Sequence, residues 1–140
     1  MCIRDRSTRA LRLALKDAQT NEDEVDYINF HGTSTLINDK VETMAVKNTF
    51  NGKAMNIPSS STKSMVGHPQ GASGALGVTV SALSLKNGFM TPTINMENPD
   101  PECDMDYVSN LGREKRINVA ISNSISFGSK NSAIVLKRYE

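Results

Sequence analysis

The sequence predicts a layered α/β domain in which helices pack on a sheet. Segments with helical hydrophobic spacing alternate along the chain with short strand-like segments, and two strand-like segments come last. The chain has 140 residues, of which 38% are hydrophobic and 22% charged, which is typical of one folded domain. The predicted order is therefore αβαβα followed by two strands.

Four elements are predicted in the first half of the chain. They are a helix over residues 7–19, a strand over 25–30, a helix from 38 or 39 to 50, and a strand over 55–59. Ser7 is available as N-cap of the first helix, whose apolar residues recur at helical spacing from Leu11. Asn51 and Gly52 end the second helix.

The second half of the chain contains a predicted helix rich in glycine and alanine, over residues 71–86. Its predicted buried face consists of Ala72, Ala75, Leu76, Thr79, Val80 and Leu83. Gly71, Gly74 and Gly77 lie in its first two turns, although each interior glycine costs ~1 kcal/mol relative to alanine. They therefore indicate a helix that other backbone approaches closely on several sides. The remaining elements are an extended, proline-containing segment over 91–106 and strands over 118–123 and 132–138.

The charge balance excludes several kinds of partner. With 16 Lys and Arg against 15 Asp and Glu the net charge is +1, so no basic excess is available for nucleic acid or an anionic membrane. No apolar stretch approaches the ~20 residues that a membrane span needs. Cys2 and Cys103 are too few for a disulfide framework and lack metal-ligand spacing, so we expect a cytoplasmic protein.

The first residues of the chain fit no pattern that follows. Residues 1–6 are short and charged and contain no apolar core, so they are not a secretory signal. We expect residues 1–6 to be a non-native or disordered start, and residues 7–140 to form the domain.

Two histidines are the first candidates for chemistry. His31 directly follows the first predicted strand, and His68 directly precedes the helix rich in glycine and alanine. Both lie in loops rich in hydroxyl groups and glycine. Catalytic groups gather at the carboxyl ends of strands in open α/β sheets, so the pair favours a functional site.

A metal site is a second possible use of these histidines, but it would need a third or fourth ligand. Asp39 and Glu42 follow His31 along the chain. They lie on a predicted helix whose first turn favours acidic residues for another reason, the helix dipole. The sequence therefore predicts no metal site.

Other chemistries find weaker support. Residues 60–63 match the S-x-x-K pattern of serine enzymes, but the companion S-D-N and K-T-G motifs are absent. Acidic neighbours should raise the pKa of the Cys103 thiol, which disfavours a nucleophilic thiolate. The glycines at positions 67, 71, 74 and 77 match neither G-x-G-x-x-G nor a Walker loop.

Five ordered motifs occur along the chain. They are His31-Gly32-Thr33-Ser34-Thr35, Ser61-Thr62-Lys63-Ser64-Met65-Val66-Gly67-His68, Pro92-Thr93-Ile94-Asn95, Asp100-Pro101-Glu102-Cys103-Asp104 and Ser122-Asn123-Ser124. Together they resemble the C-terminal half of a β-ketoacyl-acyl-carrier-protein synthase, of the elongating type in dissociated fatty acid synthesis. The resemblance implies a thiolase-like fold, in which this chain forms one βα half of the layered αβαβα architecture.

The resemblance also implies a reaction. Members of the family load an acyl chain on a cysteine, decarboxylate malonyl-carrier protein and join the two by Claisen condensation. By resemblance, His31 and His68 donate hydrogen bonds to the enolate oxygen, and Lys63 tunes and orients His68. Thr33 and Thr35 would bind the pantetheine arm. That phosphopantetheine is carried by the acyl carrier protein, so no cofactor of the chain itself is implied.

The chain departs from the family pattern in three places. The nucleophilic cysteine belongs to the N-terminal half, so this chain alone is expected to be inactive. Residues 125–129 read ISFGS where the family has FGFGG. By resemblance, Phe127 in this segment gates the acyl pocket, and its backbone N–H forms part of an oxyanion hole. Gly77 stands where many members carry a glutamate that contributes to a polar network or cation site.

The expected partners are the acyl carrier protein, the missing N-terminal half and, in the whole enzyme, a second copy in a homodimer. Two different functions stay open. One is that of a partner similar to a chain-length factor, which lacks the cysteine, and the other is that of a stand-alone domain that binds acyl chains or carrier protein. The presence of both histidines and Lys63 favours the catalytic member.

Overall fold

The computed structural model describes residues 3–126, 128 and 130–139. The helices are α1 (Ile3–Asp17), α2 (Asn38–Phe50), the one-turn α3 (Lys63–Val66) and α4 (Ser73–Asn87). The strands are β1 (Tyr27–Asn29), β2 (Ser59–Ser60), β3 (Phe89–Met90), β4 (Arg113–Glu114), β5 (Val119–Ser126) and β6 (Lys130–Lys137). Short 3-10 helices lie at Glu22–Glu24, Asn51–Asn56 and Gln70–Ala72. The predicted alternation of helices and strands is confirmed.

A four-stranded sheet in the order β2-β1-β5-β6 forms the centre of the chain. Strand β1 runs parallel to both β2 and β5, whereas β5 and β6 are antiparallel. The carboxyl ends of β1, β2 and β5 therefore lie at one edge of the sheet. Strands β3 and β4 form a separate antiparallel pair.

Helices cover both faces of this sheet, and successive residues of β1 point to opposite faces. Ile28 and its neighbour Ile121 belong to a core shared with α1 and α2, which contribute Leu11 and Phe50. Tyr27 and its neighbour Ala120 belong to a second core, with Leu85 of α4, Met90, Val108 and Ile117.

Several predicted boundaries need correction. Helix α1 begins at Ile3, so Ser7 is not its N-cap; it is fully buried inside the helix. Asp5 in the first turn suits the positive end of the helix dipole, and nothing before Ser7 breaks the helix. The strand predicted over 55–59 is shorter and lies later, at Ser59–Ser60, because Asn51–Asn56 forms a 3-10 helix. That residues 1–6 are non-native stays a prediction.

Helix α4 buries a different face from the one that its apolar residues predict. The residues it buries are Ser73, Gly77, Ser81, Ser84 and Leu85. Of the predicted apolar face, Ala75, Thr79 and Leu83 are exposed, as is Ala72, which lies before α4 begins, while Leu76 and Val80 are partly buried. The small inward residues let α4 lie close to β5. Close approach holds for Gly77, where a Cβ would lie 2.6 Å from Ser122 Oγ, and not for Gly71 or Gly74, whose Cβ would meet nothing within 4 Å.

The proline-containing segment lies along the surface, and ion pairs tie it to α2. Lys40 pairs with Asp100 and Glu102, and Lys47 pairs with Asp104. No helix among the described residues is long and apolar enough to cross a membrane.

Candidate active site

The parallel strands bring the predicted catalytic residues together. His31 follows β1, while Lys63 lies in α3, which follows β2. His68 lies in the loop between α3 and α4. All three therefore lie at the edge where the parallel strands end, as the position of the histidines predicts.

The two histidines are in direct contact. Their ring centroids are 5.4 Å apart, with the rings at 82° to one another. His31 is buried, with 7% of its surface exposed, whereas His68 is exposed. Two imidazoles this close can donate hydrogen bonds to one oxygen atom placed between them.

Burial keeps His31 neutral. It lowers the pKa of the His31 imidazole from 6.5 to about 4, with smaller contributions from the charges of Lys63 and His68. At neutral pH the ring is therefore uncharged and carries one N–H donor.

Lys63 contacts the main chain of the first histidine. Its Nζ donates a hydrogen bond to the His31 carbonyl oxygen at 2.5 Å. Burial lowers the pKa of Lys63. Lys63 therefore orients the loop that carries His31, and its expected effect on His68 stays a prediction.

Glu42 is a site residue whose role the sequence did not predict, because its position suggested at most a metal ligand. It lies in α2 and is fully buried. Its carboxylate accepts hydrogen bonds from the backbone N–H of His31 at 2.7 Å and of Gly32 at 2.8 Å. The Asn123 side chain of β5 donates a third at 2.7 Å. Glu42 thus joins the His31 loop to the strand that leads towards Phe127.

The environment of Glu42 sets its charge. Burial raises the pKa of its carboxyl from 4.5 to about 7, against the opposing effect of the three donors. An acidic residue near a helix N-terminus is expected from the helix dipole alone, so its presence in the sequence does not indicate a site. The burial of Glu42 depends on contacts between α2, β1 and β5, which the sequence pattern does not show. The sequence signal was its spacing of 11 residues from His31, which suggested a metal ligand and not a hydrogen-bond acceptor for the His31 loop.

A cavity of about 530 Å³ opens beside His68. Its lining includes Thr33, Thr35, Lys63, His68 and Cys103. The hydroxyls of Thr33 and Thr35 are 3.0 Å apart and bonded to each other. Both threonines line this cavity and present polar groups to it.

Candidate metal ligands are not clustered in the described part of the chain, and the expected lack of a metal site stays a prediction. No group of three or more His, Cys, Asp and Glu residues in the described part of the chain could hold a metal ion. A Cβ on Gly77 would lie 2.6 Å from Ser122 Oγ and 3.1 Å from Asn29 Oδ1. A larger side chain at position 77 would therefore collide with Ser122 and Asn29 unless they moved, so the space beside Gly77 is occupied in this chain.

The structure also argues against the serine and cysteine nucleophiles that the sequence offered among the described residues. The Ser60 hydroxyl is buried and bonded to Tyr27 at 2.6 Å, while Lys63 is bonded to His31. The S-x-x-K residues are therefore not arranged as nucleophile and base. Burial raises the pKa of the Cys103 thiol, so it stays protonated at neutral pH.

The predicted gate lies partly outside the described residues. Phe127 and Ser129 are among those not described, and so is Cys2. Of the residues between β5 and β6, Gly128 is described, with φ of +76°, a conformation that glycine adopts without strain.

Comparison with known proteins places this geometry in a family. The family model described as "Beta-ketoacyl synthase, C-terminal domain" matches residues 4–97. The chain belongs to this family. The predicted family membership is thereby confirmed.

The β-ketoacyl synthase domain is similar to curated bacterial proteins. It is 46% identical over 134 residues to 3-oxoacyl-[acyl-carrier-protein] synthase 2 of Synechocystis, covering 96% of this chain and 32% of that protein. It is 47% identical over 131 residues to the Coxiella burnetii protein of the same name, covering 94% and 32%. The chain thus spans about a third of the length of these relatives.

Solved structures confirm the thiolase-like fold. The ishigamide ketosynthase/chain length factor matches with a TM-score of 0.94 at 37% identity, covering 98% of this chain and 34% of that chain. A type II polyketide ketosynthase in complex with its acyl-carrier protein matches with a TM-score of 0.94 at 38% identity, covering 96% and 33%.

Proposed function

We propose that this chain supplies the C-terminal third of a β-ketoacyl-acyl-carrier-protein synthase. This acyltransferase carries out the decarboxylative Claisen condensation of acyl and malonyl-carrier protein in fatty acid biosynthesis. The contact between His31 and His68, with ring centroids 5.4 Å apart, carries the proposal.

The histidine pair acts in the decarboxylation. When the bond between the malonyl methylene carbon and its carboxylate breaks, the electron pair stays on the carbon and delocalises onto the thioester oxygen. Neutral imidazoles of His31 and His68 donate hydrogen bonds to that oxygen, and each such donor contributes roughly 3–4 kcal/mol to the barrier reduction. The pKa of His31, about 4, supports a neutral donor at this position.

The resulting carbanion attacks the acyl thioester carbon and displaces a cysteine thiolate. That cysteine is proposed to lie in the N-terminal part of the enzyme, because the pKa of Cys103 is raised. The exposed apolar residues of α4, such as Leu83, support a partner layer supplied by that part. The homodimer expected for the whole enzyme belongs to the same proposal.

The carrier protein is the proposed source of both substrates. Thr33 and Thr35 line the cavity and are proposed to bind the pantetheine arm, which arrives with the carrier and is no cofactor of this chain. A solved relative in complex with its acyl-carrier protein supports this partner. Phe127 remains the proposed acyl gate. The free Cys103 thiol supports the proposed cytoplasmic location.

A catalytic member is favoured over a chain-length-factor-like partner or a stand-alone binding domain. Neither of these two functions needs a buried neutral His31 in contact with His68. Glu42 and Lys63 also hold the His31 loop through hydrogen bonds to its backbone. Such fixed positioning of His31 favours a reaction over binding alone.

The test uses a hybrid enzyme, in which residues 7–140 of this chain replace the matching C-terminal third of the Synechocystis relative. We expect His31→Ala and His68→Ala each to lower malonyl-carrier decarboxylation by at least about 100-fold. Transfer of the acyl chain to the cysteine should persist in part. Mass spectrometry of the carrier measures both steps.

The 140-residue chain without its partner half serves as the matched control, and it should form no β-ketoacyl product. A decarboxylation rate within about threefold of the unchanged hybrid in either variant, well inside the loss expected for one donor, would contradict the proposed roles of the histidines. A β-ketoacyl product from the chain alone would show that the nucleophile lies within it.

A further inference from the structure

Two donors hold one side of the His68 ring. Its Nδ1 atom accepts the backbone N–H of Gln70 at 3.0 Å and lies 3.0 Å from the Ser73 hydroxyl oxygen. A backbone N–H can only donate, so Nδ1 carries no proton. The Ser73 hydroxyl must then donate to Nδ1 as well, and the neutral ring carries its proton on Nε2.

Ser73 is well placed to fix an otherwise exposed ring. His68 lies in a loop, directly after Gly67 with its φ of +76°. Ser73 is the first residue of α4 and is buried, with 8% of its surface exposed. The hydroxyl thus connects the exposed His68 ring to the long helix that packs on the sheet.

A purely local role does not account for the Ser73 hydroxyl. The N-cap of α4 is Ala72, which provides no side-chain cap. Ser81, another buried serine of this helix, donates to the carbonyl of Gly77 one turn earlier at 2.8 Å. Ser73 is bonded to His68 instead.

We propose that Ser73 is a positioning residue that holds His68 with its Nε2–H directed at the reacting oxygen. The Gln70 N–H selects the tautomer, and the Ser73 hydroxyl adds the second bond that fixes the plane of the ring. The kinetic part of this inference rests on the proposed function of His68.

The hybrid enzyme tests the proposal with three variants. We expect Ser73→Ala to lower kcat of malonyl-carrier decarboxylation about three- to tenfold with KM unchanged, the loss of one hydrogen bond to a catalytic group. Ser73→Thr keeps a hydroxyl and should restore kcat. Ser81→Ala removes a buried hydroxyl from the same helix and should leave the rate unchanged.

The ring nitrogens give a second readout that needs no activity. With histidine labelled by nitrogen-15, the His68 signals are those lost in His68→Ala. In Ser73→Ala the Nδ1 resonance should move towards that of an acceptor nitrogen without a hydrogen bond, and Ser73→Thr should return it. Ser81→Ala should not move it.

An unmoved Nδ1 resonance in Ser73→Ala overturns the proposal, as does an equal loss of kcat in Ser81→Ala. If the unchanged hybrid does not decarboxylate malonyl-carrier protein, the proposed function fails. The Nδ1 resonance then decides the role of Ser73 by itself.

Discussion

The two faces of the central sheet are built from different residues. Towards α1 and α2, large apolar side chains such as Leu11, Ile28 and Phe50 are fully buried. Towards α4, the helix turns Gly77 and Ser81 inward, while apolar residues of the same helix face outward. We call the first the closed face and the second the open face.

This difference shows that a helix is oriented by what it packs against and not by hydrophobicity alone. The inward side of α4 is small, so the helix can approach Ser122 and Asn29 of the sheet. Its outward apolar side is left without cover by the described residues of this chain. Apolar residues exposed together on one helix, such as Ala75 and Leu83, agree with a missing partner half.

Truncating one side chain on each face to alanine tests whether the two faces contribute differently to stability. Phe50→Ala removes a fully buried ring from the closed face and should lower the free energy of unfolding by about 3–5 kcal/mol. Leu83 lies on the open face, with 52% of the residue exposed. Leu83→Ala should change the free energy of unfolding by less than about 1 kcal/mol. Chemical unfolding of the chain measures both.

The same two variants can be compared in the hybrid enzyme, where the N-terminal part is expected to cover the open face. Leu83→Ala should then lower the unfolding temperature clearly, as Phe50→Ala does in either context. An equal effect of Leu83→Ala in the chain and in the hybrid would mean that nothing covers this side chain.

The closed face also contains the buried Glu42 carboxyl. As pH changes, the titration of Glu42 and that of His31 affect stability in opposite directions. The pKa of Glu42 is raised from 4.5 to about 7, and that of His31 is lowered from 6.5 to about 4. Between about pH 4.5 and 7 the folded chain keeps the Glu42 proton that the unfolded chain releases, so stability falls as pH rises. Between about pH 4 and 6.5 the unfolded chain binds a proton at His31 that the folded chain lacks, so stability rises with pH.

Glu42→Gln should therefore reveal the His31 effect. The free energy of unfolding of this variant should rise by up to roughly 3 kcal/mol between about pH 4 and 6.5, while that of the unchanged chain stays nearly level. Urea unfolding across this pH range measures the difference. Glu97→Gln, at an exposed position, is the control and should behave like the unchanged chain. A level profile in Glu42→Gln would contradict the opposing titrations.

Two glycines of α4 give the smallest and most local test. Gly77→Ala should destabilise the chain by about 1–3 kcal/mol, because its Cβ would lie 2.6 Å from Ser122 Oγ. Gly74→Ala meets nothing within 4 Å and should stabilise the helix by up to about 1 kcal/mol. The shift of the urea midpoint gives the sign of each. The same sign for both would show that α4 does not lie as close to β5 as described.

Local patterns were sufficient to predict the helix–strand order and to locate the candidate site. His31 and His68 each lie beside a strand or helix end that short-range propensity marks in the sequence. The carboxyl ends of parallel strands meet at one edge, so the two residues could be expected together before any contact was known. The sequence motifs also identified the family.

The sequence by itself thus determined the order of the main helices and strands, the family, and the candidate histidine pair with Lys63. The tertiary structure alone decided which face α4 buries, that Lys63 bonds to the His31 carbonyl, and that Glu42 and Ser73 belong to the site. The physical reason is that burial and hydrogen-bond partners depend on which elements meet in space. Glu42 contacts a loop 10–11 residues earlier and Asn123 81 residues later, and helical periodicity carries no information about such contacts.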